Sequence, residues 1–269
     1  MKFARRRRLL AAASTLAMSV SLVVSSSALA MVSPLPSPPY ADVMSGPMWG
    51  GIDPRGDADI AVSYLGQLGY RTFDDNDDTT PALALGSGWA QSDAVWVAMG
   101  HGNAGLTVME DGATGGPPDS HIGAIYATQS VSHTPDVNPA LNSYMYPTMA
   151  YQQLNRVKLM VFFSCNSGLD GAPGLAYNGN LVTVATSYLG VDSAIGVTHD
   201  IYYLLGADNT WTEGFFHGLR VGQNVQDAAN QALANVQFWD GHFYASFGFE
   251  GPYIVAGTTK ISPVGWGTP

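Results

Sequence analysis

Along residues 57–68, "DADIAVSYLGQL", apolar side chains fall at Ile60, Ala61, Tyr64, Leu65 and Leu68. That spacing predicts an amphipathic helix, with Asp57 as N-cap and Gly69 as its stop. "YRTF" follows as a short strand. The period then disappears. "DAVWVAMG" (93–100) is apolar almost throughout, as expected of a strand covered on both faces. "GLTVMEDG" (105–112) reads as a small hairpin arm, and 113–140, rich in Gly, Pro, Ser and Asp, as a long loop or insertion.

The same alternation continues downstream. "YPTMAYQQLNR" (146–156) predicts a helix, and "VKLMVFFS" (157–164) a second buried strand. Residues 168–179 form a flexible loop in this reading, "NLVTVATSYLG" (180–190) a helix, and "SAIGVT" (193–198) a third buried strand. Thr210–Glu213 and Asn224–Asp227 carry helix-start patterns. "FYASFGF" (243–249) and "GPYIVAGTTKI" (251–261) close the chain as strands. Continuous apolar strands alternating with helices predict an α/β fold: one domain, over 51–269, built on a mostly parallel sheet with helices on both faces.

The N-terminus stands apart. Lys2 and Arg5–Arg8 precede an apolar stretch, Leu9–Val24, and Ala28-Leu29-Ala30 supplies a small-x-small site. Residues 1–30 therefore read as a signal peptide, a retained membrane anchor being the competing reading, and the protein is expected to be secreted. Residues 31–50 open with "MVSPLPSPPY" and read as a Pro-rich linker or pro-segment. Five of the eleven Lys and Arg residues leave with the signal, so six face all 21 acids. A chain so acidic repels phosphate backbones, which argues against nucleic acid as a partner. No second stretch is apolar enough to span a bilayer, so no membrane partner is expected after the signal is removed.

Export sharpens one oddity. "LMVFFSCNSG" (159–168) holds the only cysteine, Cys165, which can form no internal disulfide. It is a packed core residue, a link to another chain, or a nucleophile. In a parallel sheet, reactive groups collect at the carboxyl ends of strands. "VWVAMGHG" ends at His101-Gly102 and "VKLMVFFSC" at Cys165. If these strands are neighbours, imidazole and thiol emerge on one edge, and His101 can move protons for Cys165. Gly102 leaves room for a carbonyl, and its N–H can join that of Cys165 in an oxyanion hole. The papain order, Cys before His, is reversed here. An α/β-hydrolase elbow needs Gly where Phe163 and Ser167 stand. Histidine and cysteine spacing offers no zinc site, and no metal or cofactor is expected.

The order of these motifs resembles the caspase-like (clan CD) cysteine peptidases, which include caspases, legumains, gingipains, separases and, nearest in pattern, the bacterial CHAT proteins. "SDAVWVAMGHGNAG" is similar to their His strand, "RVKLMVFFSCNSGLDG" to their Cys strand, and "FFHGLRVGQNVQDAANQALA" to their closing helix pair. The likeness covers roughly residues 57–255. Two features depart from it: the insertion at 113–140, and "GVTHD" where CHAT proteins carry a tryptophan-containing run. The resemblance implies a cysteine endopeptidase with Cys165 as nucleophile, His101 as proton carrier, Gly102 and the Cys165 N–H as oxyanion hole, and a peptide or protein substrate. It also implies a charged group that selects the residue before the cut. Asp200 is the candidate, with Asp170 and Asp192 as rivals and capping of the next helix as its other role. A non-catalytic module with a vestigial dyad and an acyl-transfer enzyme remain the alternatives. Asp74–Asp78 lacks the Gly and Glu of an EF-hand loop, Thr79 and Leu85 standing there, and reads as a solvated acidic loop. His121, His133, His217 and His242 read as surface or structural residues, and Trp49, Trp89, Trp211 and Trp239 as core or loop anchors.

Overall fold

A computed structural model describes residues 38–45, 53–75, 93–110, 122–127, 142–145, 154–171, 179–201, 206–239, 254–256 and 261. They lie within one compact unit, Leu35–Pro269. Residues 1–37, with the expected signal peptide, are outside them, as are most of the expected helix at 146–156 and all of the strand at 243–249.

The main sheet has six strands: β1 (Tyr40–Ser45), β2 (Arg71–Asp75), β3 (Asp93–Met99), β8 (Leu159–Phe163), β9 (Ser193–Gly196) and β10 (Ile254–Ala256). Their spatial order is β10-β9-β8-β3-β1-β2. The five from β2 to β9 are parallel, and β10 runs antiparallel to β9. The expected mostly parallel α/β fold is present. β3 and β8 are buried along their whole length, which explains their unbroken apolar sequence. A second sheet is formed by β4 (His101–Asn103), β5 (Leu106–Glu110), β6 (Ile122–Ala127) and β7 (Asn142–Met145), in that order.

Helices cover both faces of the main sheet. On one face lie α1 (Arg55–Gln67), α3 (Ala207–Arg220) and α4 (Val225–Trp239). They contribute Leu65, Trp211, Phe215 and Ala232, among others, to a core with Val97, Val161 and Phe163 of the strands. The other face is covered by α2 (Leu181–Thr183) and the π-helical turn that continues it, Val184–Tyr188, packed over Trp96, Met160 and Phe162. Asn180 caps α2, its Oδ1 accepting from the Thr183 N–H at 3.1 Å.

Four expectations need correction. The Pro-rich stretch read as linker over 31–50 contains β1, a central strand between β2 and β3. The insertion at 113–140 contains β6, which pairs antiparallel with β5. α3 begins at Ala207, three residues before the expected capping box, and the Thr210 hydroxyl donates back to the Gly206 carbonyl at 2.9 Å. The Asn224 start does form: its Oδ1 accepts from the Asp227 N–H at 2.8 Å. Asp57 is not a cap either. It sits in the first turn of α1, buried against α3, while Pro54 occupies the cap.

Candidate active site

The site is set by register. In the parallel pair β3–β8, Met99 lies opposite Phe163, the last matched residues. His101 and Cys165 each follow two residues later, so both leave the sheet at its carboxyl edge on adjacent strands. Strand order also reverses next to them: the chain adds β2 on one side of β1 and β3 on the other. Crevices at such reversals are where open α/β sheets bind ligands.

Beyond Met99 the chain turns out of the main sheet and starts the hairpin β4–β5, with Gly102 opposite Thr107. The hairpin folds against the end of β8. The Gly100 N–H donates to the Phe163 carbonyl at 3.3 Å. The hydroxyls of Thr107 and Ser164, both buried, share a hydrogen bond of 2.8 Å. Gly102 is pressed on the same place: a Cβ there would lie 2.3 Å from the Cys165 carbonyl oxygen and 2.7 Å from Ser164 Oγ. The space that Gly102 leaves is therefore filled by the protein's own chain. Its small size serves the approach of β4 to β8, not the entry of a carbonyl as the sequence had suggested.

Ser164 and Cys165 divide the end of β8 between them. Ser164 points to the hairpin, whereas Cys165 continues the face of Val161 and Phe163 and packs on the α1–α3–α4 core. Phe163 in turn stacks on Trp211 at 5.0 Å, and Trp211 on Phe215 at 4.8 Å, so this tryptophan is the core anchor expected of it. His101 is half-buried.

After Cys165 the chain turns sharply. Asn166 adopts a left-handed φ of 56°, a conformation that asparagine tolerates better than most residues. Its N–H donates to the His199 carbonyl at 3.0 Å and its side-chain amide to Asp200 Oδ1 at 2.7 Å. Asp200 is thus beside the thiol, on an exposed segment, and does not cap α3, whose cap is Gly206. Asp192 is excluded as its rival by position. It precedes β9 and pairs with Lys158 at 2.7 Å, at the opposite end of the sheet. Asp170 is exposed on the Cys loop.

The thiol is half-buried. Cys165 Sγ accepts from the Ile201 N–H at 3.1 Å and faces the Ile201 carbonyl at 3.8 Å. Burial raises its pKa above the ordinary thiol value, and the Asp200 charge adds to this, against the opposing effect of the Ile201 N–H. Burial and the Asp200 charge both disfavour the thiolate in this closed arrangement.

Sequence reasoning missed Thr107, Asn166, His199 and Ile201. Only Asn166 left a trace, an asparagine in the turn directly after the cysteine. Of the other residues weighed, Asp74 and Asp75 end β2, and 76–78 lie outside the described residues. No group of three or more potential metal ligands occurs among the described residues. His217 is exposed, its ring against Tyr64 at 5.9 Å, while His121, His133 and His242 fall outside. Among the described residues, no helix is long and apolar enough to cross a membrane. No protein-family model matches the chain, and no curated protein matches it either.

Proposed function

We propose that this chain is a caspase-like cysteine endopeptidase acting through Cys165 and His101. The observation that carries the proposal is the seating of the His101-Gly102 corner on the carbonyl of Cys165, at the carboxyl edge of adjacent parallel strands. His101 takes the thiol proton as sulfur attacks the scissile carbonyl carbon. The tetrahedral oxyanion is held by the N–H groups of Cys165 and Gly102. His101 then gives the proton to the departing amine, and the C–N bond breaks to leave a thioester on Cys165. Water, deprotonated by His101, releases the acid and restores the thiol.

Asp200 deepens the reading. An exposed carboxylate next to the nucleophile suits a basic residue before the cut, held by a charge-assisted contact. Digestion of a peptide library tests both parts. Cleavage after Arg or Lys is expected, lost in Cys165→Ala and weakened for those residues in Asp200→Asn. Cleavage after Asp, Asn or apolar residues alone would remove Asp200 from specificity and leave the dyad standing. Cleavage undiminished in Cys165→Ala would remove the dyad.

One observation favours a second reading, a non-catalytic module with a vestigial pair: the Ile201 N–H lies on Cys165 Sγ at 3.1 Å. Such a module would cleave no peptide under any condition.

A further inference from the structure

β9 ends at Gly196, and the chain then doubles back over the end of β8. Residues 197–201 form a strap with contacts along its length. Its start is fixed deep in the molecule. The Gly168 N–H donates to the Val197 carbonyl at 2.8 Å, and the Val197 N–H to Ser167 Oγ at 3.2 Å. Ser167 is buried and tied in turn to the Phe162 carbonyl at 2.7 Å. Gly168 and Gly196 touch backbone to backbone, where a Cβ on either would come within 3 Å of the other's main chain. The far half is held differently. His199 and Asp200 are exposed, and Asn166 clasps them through its N–H and its side-chain amide. Beyond the clasp, Ile201 lays its N–H and carbonyl against Cys165 Sγ and buries its side chain in the core.

We propose that residues 197–201 form an autoinhibitory strap, hinged at the Val197 anchor and clasped by Asn166–Asp200, that must lift from Cys165 Sγ before the thiol can attack. The inference rests on the reading of Cys165 as a nucleophile, for which it supplies a regulation. A scissile carbon must reach Sγ along a sulfur lone pair, and the Ile201 N–H occupies that direction at 3.1 Å. The clasp suits release. Its hydrogen bond to the Asp200 carboxylate is exposed to water, so a competitor for Asp200 can open it, and Ile201 must then slide from the core. The anchor at Val197, by contrast, rests on the buried Gly168 and Ser167, so the strap swings and is not lost.

Alkylation of Cys165 by iodoacetamide, followed by intact mass across a pH series, tests the strap in the full chain. The rate on the high-pH plateau reports access to sulfur, whereas the midpoint reports charge near it. Asn166→Gly, which keeps the left-handed turn, and Asp200→Ala are each expected to raise the plateau at least tenfold. The double variant should gain no more than the better single one. Amide hydrogen exchange separates a lifted strap from a loosened fold: the Ile201 N–H should exchange faster in both variants while those of Val161 and Ile195 stay protected. Plateau rates that are unchanged or lower, or faster exchange at Val161 to the same degree as at Ile201, would overturn the proposal. Because alkylation needs only a thiol, the two readings fail separately. Faster alkylation without any peptide cleavage keeps the strap and sinks the peptidase. Cys165-dependent cleavage with unaltered alkylation in both variants keeps the peptidase and sinks the strap.

Discussion

Gly102 carries more of the site than its size suggests. It sits where β4 leaves the end of β3, and a methyl group there would overlap the Cys165 carbonyl oxygen at 2.3 Å. The obstacle is backbone, so no side-chain rotation relieves it. Gly102→Ala is expected to push the hairpin off β8 at a cost of about 1–3 kcal/mol. That should lower the thermal midpoint by roughly 2–4 °C per kcal/mol, read by circular dichroism, together with loss of peptide cleavage. A midpoint equal to the parent's would mean that β4 does not approach β8 as described. At this scale the sequence was partly legible. The placement of His101 and Cys165 just past strand ends could be read because each ends an apolar run, and strand ends are visible in a hydrophobic pattern. The Thr107–Ser164 bond and the cover over Sγ could not. They join residues 57 and 36 positions apart through one hydroxyl pair and one peptide unit, and neither leaves a pattern along the chain.

Elements were legible where their residues repeat and opaque where they compromise. β3 and β8 declare themselves as unbroken apolar runs. β1 does not: it is six residues long, follows a proline-rich stretch and carries Asp42 in its middle, 6% exposed. α1 was found, but Asp57 was misread, because an acid at a helix start is usually a cap and here it is buried against Asp208 of α3. Both carboxyls are pushed up in pKa, chiefly by burial. Asp57 reaches about 8, with the Asp208 charge as a further cause. The folded state therefore holds a proton that the unfolded chain releases near pH 4. Between that value and about 8, stability falls as pH rises, by up to about 1.4 kcal/mol per pH unit for each proton so held. Asp57→Asn removes this ionisation. Its thermal midpoint is expected to fall less than the parent's between pH 5 and 8. Parallel pH profiles for the two proteins would contradict the buried-pair account.

The whole molecule explains why two residues far apart in sequence leave the sheet on one edge. A parallel sheet sends every strand out on the same side, and strand order places β3 beside β8. The carboxyl edge thus collects His101, Cys165 and the turn after β9, which brings Asn166 to Asp200. Pattern reading could predict the fold class and the shared edge, but not which strands adjoin, since β4 to β7 intervene in the chain. The edge also holds a second imidazole, His199, whose carbonyl accepts from the Asn166 N–H. The central claim is that Cys165 acts with His101. The most direct measurement is the rate at which a peptidyl acyloxymethyl ketone labels the protein, followed by intact mass and peptide mapping. One adduct on Cys165 is expected in the parent, none in Cys165→Ala, and a rate lower by about 10²–10⁴ in His101→Ala, with His199→Ala close to the parent. Labelling at the parental rate in His101→Ala, or its loss in His199→Ala instead, would contradict the pairing.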